Sequence, residues 1–187
     1  MQDAPEFYAK DRQAWRSWLQ KNHATKQAVW LIYDKGNART MSWGDIVQES
    51  LCFGWIDSRP GKVSDTQSKI YISKRKPSSG WSRVNKAHIE ELVVRGLMMP
   101  AGQQAIDAAK ASGAWDKFSM SDNLQLSPEL IEAFNANPVA KKNFDSFTES
   151  GRRIILEWLY QAKRPETAQT RIQKIIEDAE AGKKAFG

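Results

Sequence analysis

The spacing of apolar positions changes character along the chain. Up to about residue 75, short β-rich runs alternate with amphipathic helical ones, and after residue 80 only helical periods remain. Asp11 can cap a helix to about Asn22 in which Trp15, Trp18 and Leu19 recur at i, i+3 and i+4 as one apolar face. Residues 28–34, AVWLIYD, followed by Lys35-Gly36-Asn37, read as a short buried strand ending in a turn. Ser42 opens the next helix, with Asp45 at its third position as a variant capping box. Ile46, Val47 and Leu51 share that helix's inner face, and Gly54 stops it. From Trp55 the period becomes two. Residues 55–64 and 67–75 flank Asp65-Thr66, and Ile70 and Ile72 alternate with Tyr71, Ser73 and Arg75. That alternation predicts an antiparallel hairpin beside the 28–34 strand.

Pro77-Ser78-Ser79-Gly80 ends the strand pattern. Ser82 can cap a helix closed by Gly96, and Pro100 opens another that ends at Gly113. Ser127-Pro128, Asn137-Pro138 and Arg164-Pro165 repeat one helix-start signal. Thr148 starts a helix with an inner face of Ile154, Ile155, Trp158 and Leu159, and the last helix presents Ile172, Ile175 and Ile176. Residues 116–127 have few periodic apolar positions and read as a linker. The expected fold is therefore α+β, with a small antiparallel β-sheet and packed helices in residues 1–115 and an all-helical part over residues 128–187.

Composition adds exclusions. A chain of 187 residues with 41 % apolar and 27 % charged residues is long enough for a real core and is not that of a disordered protein. One cysteine rules out an internal disulfide, and with only His23 and His88 beside it no zinc set is expected, nor any other metal or cofactor. The N-terminal MQDAPEFYAKD lacks the apolar run of a signal peptide, and no stretch approaches the roughly 18 apolar residues of a membrane span. A cytoplasmic protein is expected.

Charge changes the picture more. Residues 58–100 carry nine Lys/Arg against three Asp/Glu, which accounts for the whole net charge of +6. A local excess of this kind attracts anions: phosphate, nucleic acid, an acidic protein or an anionic headgroup.

Candidate chemistry gathers in two stretches. ESLCFGWIDS at 49–58 brings Glu49, Cys52, Trp55 and Asp57 to a helix-to-strand junction, which fixes side chains against two elements at once. Lys74, Arg75 and Lys76, followed by Trp81, Ser82 and Asn85, combine cations, an aromatic ring and a helix start, the components of an anion site. The same residues would form a basic hairpin facing water. GxGxxG, Walker, HExxH and GxSxG motifs are absent. Cys52 with His88 could form a nucleophile–base dyad, although a cysteine at helical spacing from Val47 and Leu51 is more simply a small buried apolar group. Glu49 and Asp57 could act as paired carboxylates, and the plainer reading pairs Asp57 with a cation from 74–76.

The segments ESLCFGWIDS at 49–58, SKRKP at 73–77, GWSRVNKA at 80–87, RGLMMPAG at 95–102 and AKRPETAQTRIQKI at 162–175 together resemble the YdeI/OmpD-associated, or bacteriocin-protection, family. The resemblance implies a part in bacterial resistance to bacteriocins and cationic antimicrobial peptides, and an association with an outer-membrane porin. It supplies no catalytic residues. A chain of pI near 9.4 repels cationic peptides, so protection by this chain is expected to be indirect. The leading expectation is a non-catalytic protein that binds an anionic ligand or acidic protein partner. A second is a nucleic-acid-binding module using Lys74, Arg75, Lys76, Arg83 and Lys86 with Trp81 for stacking. A third is a small-molecule enzyme built on Glu49, Cys52 and Asp57.

Overall fold

The strand patterns assemble into one four-stranded sheet in the computed structural model, which describes residues 4–183. Strands β2 (Ala28–Asp34), β3 (Trp55–Lys62) and β4 (Gln67–Lys74) are joined by β1 (Glu6–Tyr8) in the order β1-β2-β4-β3. The three longer strands pair antiparallel, as their alternation predicts, whereas β1 runs parallel to β2. The sheet is therefore mixed. Three residues are too few to show a period, so β1 carries no signal of its own in the sequence.

Opposed pairs Val29↔Ile72 and Leu31↔Ile70 place the buried residues of β2 and β4 on one face of the sheet, and Trp55 joins them from β3. Helices α1 (Arg12–Asn22), α2 (Trp43–Cys52), α3 (Arg83–Val94) and α4 (Pro100–Ala111) complete this first unit, which runs to Trp115. Its core joins that sheet face to Trp15 and Leu19 of α1, Ile46 and Leu51 of α2, Leu92 of α3 and Ile106 of α4. Phe7, Trp15, Trp18 and Trp55 form a chain of ring contacts within it, with neighbouring centroids 5.4 to 6.4 Å apart. The expectation of a buried strand at 28–34 holds for one face only. Trp30 and Ile32 point to the other face and are half-buried.

Local capping follows the sequence closely. The Asp11 side chain accepts from the Ala14 N–H, and Ser42 and Asp45 form the reciprocal capping box of α2. The second unit begins at Asp116 and is all helical: α5 (Ser119–Asp122), α6 (Pro128–Ala136), α7 (Pro138–Ser146), α8 (Glu149–Tyr160) and α9 (Pro165–Glu180). Proline opens α6, α7 and α9, and Ser127, Asn137 and Thr148 cap α6, α7 and α8. Phe134, Phe144, Ile155, Leu159, Ile172 and Ile175 fill its core. Ile154, expected on the inner face of α8, is exposed, because Leu156 takes the buried position beside Ile155. Residues 116–127, expected as a linker, contain α5, whose Ser121 is buried and whose Asp122 faces Arg153 of α8 at 3.9 Å. A single helical turn is shorter than any apolar period, which is why this stretch shows none. Among the described residues no helix is long and apolar enough to cross a membrane.

Candidate functional site

Glu49, Cys52 and Trp55 of the 49–58 stretch are held by packing and ion pairs rather than opened to a cleft. Glu49 lies on the buried side of α2, where Oε1 accepts from Arg12 Nε and Oε2 from an Arg16 guanidinium N–H, both at 2.6 Å. Arg12 also reaches Asp45 at 2.5 Å, and Arg16 donates to the Leu97 carbonyl at 3.0 Å. One carboxylate thus ties α1 to α2, and Arg16 ties both to the α3–α4 connection. Both Glu49 carboxylate oxygens are engaged by guanidinium N–H donors and the residue is buried, so neither oxygen is presented to solvent. Cys52 is fully buried, and burial first, then the Glu49 charge, pushes its thiol up. It stays protonated at neutral pH and is not an activated nucleophile. His88 bonds Gln48 instead, with Nδ1 3.2 Å from the Gln48 amide nitrogen.

Trp55 is buried on the helix-facing side of the sheet, and Asp57 shares that side, opposite Ile72. Among the described residues Asp57 forms no ion pair within 4.0 Å, although the charge of Arg75 acts on it through space. The expected contact with a cation of the 74–76 run is therefore one of field, not of hydrogen bonding. Burial raises the Asp57 carboxyl above its usual range more than Arg75 lowers it. An acid with a raised folded-state value adds stability below its unfolded value, near pH 4, and loses it as pH rises through the folded one. Ionised Asp57 therefore costs stability at neutral pH. Asp57→Asn is expected to raise stability at pH 7 by about 1 kcal/mol or less, given its partial exposure to solvent, read as a higher urea midpoint, and to change little below pH 4. A lower midpoint at pH 7 would mean that attraction to Arg75 outweighs burial.

The second stretch is where charge opens to solvent. Arg75 follows the last residue of β4, and its N–H donates to the Gly54 carbonyl at 3.0 Å. Its guanidinium lies 3.7 Å from the centroid of the Trp81 ring and donates to the Gly80 carbonyl at 2.5 Å. Its Nε–H is buried and has no hydrogen-bond partner among the described residues. Burial lowers its pKa to about 10, against the pull of the Asp57 charge in the other direction. Arg75 lines a cleft of about 830 Å3 together with Lys26, Tyr71, Ser73, Lys74 and Lys76, and among the described residues no acid lines it. Lys74 donates to the Ala24 carbonyl at 3.0 Å, which holds its ammonium without neutralising it. Arg75 and Lys74 also line a smaller cleft of about 390 Å3 with His23, Phe53 and Gln104.

The structure therefore brings Lys74, Arg75 and Trp81 together and leaves Glu49 and Cys52 in a separate, internal cluster. Trp81 is buried beneath Arg75, so it offers no open ring for stacking. Ser82 is used as the cap of α3, accepting from the Asn85 N–H at 3.3 Å. The positive excess of 58–100 is not one patch, because Lys62, Lys69 and Arg95 pair with Asp65, Glu6 and Glu91. Lys26, with Thr25 and Gln27, comes from the turn before β2 and was not signalled by any motif. Only the antiparallel pairing of β2 with β4 brings that turn beside residues 74–76, through the Lys74 N–H to Gln27 carbonyl bond at 3.0 Å.

Two family models match the chain. The one described as "Domain of unknown function (DUF8412)" covers residues 7–105, and the one described as "Bacteriocin-protection, YdeI or OmpD-Associated" covers residues 123–182. No curated protein and no solved structure matches. The second match bears out the resemblance and locates it. Residues 162–175 fall inside it, whereas 49–58, 73–77, 80–87 and 95–102 fall inside the first.

Proposed function

The chain belongs to the family described as domain of unknown function DUF8412, and on that premise we propose that it is a non-catalytic cytoplasmic protein whose sheet unit binds an anionic partner in the Arg75 cleft. The observation that carries this reading is Arg75 itself: a largely buried guanidinium with, among the described residues, an unsatisfied Nε–H and no carboxylate within ion-pair distance, lining a cleft together with three lysines. Buried charge is stable when paired, and an anion entering the cleft supplies the missing partner. The helical unit, matched by the bacteriocin-protection model, supports a role in resistance to bacteriocins or cationic antimicrobial peptides. Because the cleft is cationic, that role is indirect and runs through the anionic partner.

Titration with inorganic pyrophosphate, read by calorimetry in low salt, tests the cleft. Binding is expected to weaken as salt rises and to fall about tenfold in a Lys26→Ala, Lys74→Ala, Lys76→Ala triple variant that still melts as the native chain does. Heat of binding that is absent, or indifferent to the three lysines, would remove the cleft from consideration. Gene deletion tests the resistance role. Survival under bacteriocin challenge is expected to drop and to be restored by the native chain but not by the triple variant; unchanged survival on deletion would exclude the role.

A further inference from the structure

We infer that the open face of the sheet, continuous with the Arg75 cleft, is a platform for single-stranded nucleic acid. The inference rests on the anion-binding reading of that cleft and names its ligand class. The face opposite the core carries Trp30 on β2 and Tyr71 on β4, directly opposed in register, with ring centroids 5.2 Å apart and planes at 74°. Both rings are half-buried. Tyr71 also lines the cleft, so the aromatic surface and the cationic cavity share a wall.

Cations are placed on these rings by the backbone. Between Asp57↔Ile72 and Pro60↔Ile70 the register shifts, so that Ser58 and Arg59 together oppose Tyr71. That bulge carries the Arg59 guanidinium to 4.8 Å from the Tyr71 ring centroid and 5.8 Å from that of Trp30. Pro60 is tolerated there because β3 is an edge strand. Lys69 lies 5.0 Å from the Trp30 centroid, but it is paired with Glu6 and counts as support for the ring rather than as a phosphate contact. Gly61 keeps the indole edge uncovered: a Cβ there would lie 3.5 Å from Trp30 and 3.1 Å from the Lys69 stem.

Charge complementarity and ring faces together select the occupant. A small anion uses the cleft and leaves the rings idle, and an acidic peptide has no π-face for them. Duplex DNA or RNA hides its bases from a flat sheet. A single strand presents phosphates at intervals to Lys26, Lys74, Arg75 and Lys76 of the cleft and unstacked bases to Trp30 and Tyr71.

Fluorescence anisotropy of a labelled twelve-nucleotide single strand, with oligouridine and oligothymidine run side by side, tests the inference on the full chain. Saturable binding is expected, with a log–log salt slope of about −2 to −3 from three or four phosphates. Trp30→Leu and Tyr71→Leu keep an apolar strand residue but remove the ring, and each is expected to weaken oligonucleotide binding about tenfold, while pyrophosphate binding stays unchanged in Trp30→Leu, whose ring lies outside the cleft lining. Oligonucleotides bound no more tightly than pyrophosphate would overturn the inference and leave the cleft reading intact. Equal affinity for a duplex, full competition by polyglutamate, or affinity unchanged in both leucine variants would also overturn it. If neither pyrophosphate nor oligonucleotide binds, the inference and the cleft reading fall together.

Discussion

Replacing Glu49 by alanine is expected to cost the first unit about 3–5 kcal/mol, a large share of the roughly 5–15 kcal/mol by which a folded domain is stable. Glu49 is 2 % exposed and receives hydrogen bonds from two arginines, each 2.6 Å away. Its removal leaves two partly buried guanidiniums whose remaining acceptors among the described residues are Asp45, the Leu97 carbonyl and the Cys52 sulfur. The penalty is mainly that uncompensated charge, which exceeds what a surface pair contributes. A control separates charge from shape. Glu49→Leu with Arg12→Met and Arg16→Met removes all three charges, and by the same argument it should recover most of the loss. Urea unfolding followed by tryptophan fluorescence suits the measurement, since Trp15, Trp18 and Trp55 all lie in this unit's core contacts. A single-variant loss under about 1 kcal/mol would place the cluster with ordinary surface ion pairs.

The sequence carried this region only in part, and the reason is physical. Apolar periodicity located α2, and the Ser42 and Asp45 pair marked its first turn, because both signals are local. The same periodicity hides the role of Glu49, since a carboxylate beside Ile46 and Val47 is explained only by residues 33 and 37 positions earlier. Arg12 and Arg16 are spaced i, i+4 on α1, the one hint that two cations share a face. That hint becomes informative only when α1 and α2 are known to pack. Strand β1 is the opposite case: its pairing partners Trp30, Leu31 and Ile32 define it, while its own three residues carry no pattern.

The candidate site shows the same division between local and long-range information. Lys74 to Lys76 stand out as a run, yet the cleft they line is completed by Thr25, Lys26 and Gln27 from the turn before β2 and by Ala28, the first residue of that strand. Trp81 illustrates how composition misleads: beside a basic run it resembles a stacking residue, but it is buried under Arg75. The continuous apolar run of residues 28–32 hides the placement of Trp30, which strand alternation sets on the other face from Val29 and Leu31. Its neighbour Arg59 could not have been placed from sequence, because a bulge changes which face a side chain takes.

Gly102→Ala is expected to destabilise the first unit by about 3 kcal/mol, against the sign that helix propensity predicts. In an exposed helix the change would add up to about 1 kcal/mol of stability. Gly102 is buried in the first turn of α4, where a Cβ would lie 2.3 Å from the Cys52 carbonyl oxygen, 2.7 Å from its carbon and 2.6 Å from Met98 Sδ. Met98 could move, but the Cys52 backbone could not. That carbonyl belongs to the last turn of α2 and accepts from the Met99 N–H at 3.2 Å, so relieving the clash means drawing α4 away and losing the bond. Gly54 binds the same junction from the other side. It adopts φ +72, and its missing Cβ leaves room for Ala101 and Ala105 of α4, each at 3.0 Å. Two glycines thus set the distance at which α4 docks on the turn leading into β3, and through it the position of Arg75, which bonds the Gly54 carbonyl. Gly44→Ala is the internal control: its nearest neighbour is Ser42 Oγ at 3.6 Å, an ordinary contact, and its midpoint should stay level or rise. If both variants unfold at the native urea concentration, α4 has freedom to withdraw by an ångström, and the rigid placement of Arg75 argued from this junction fails with it.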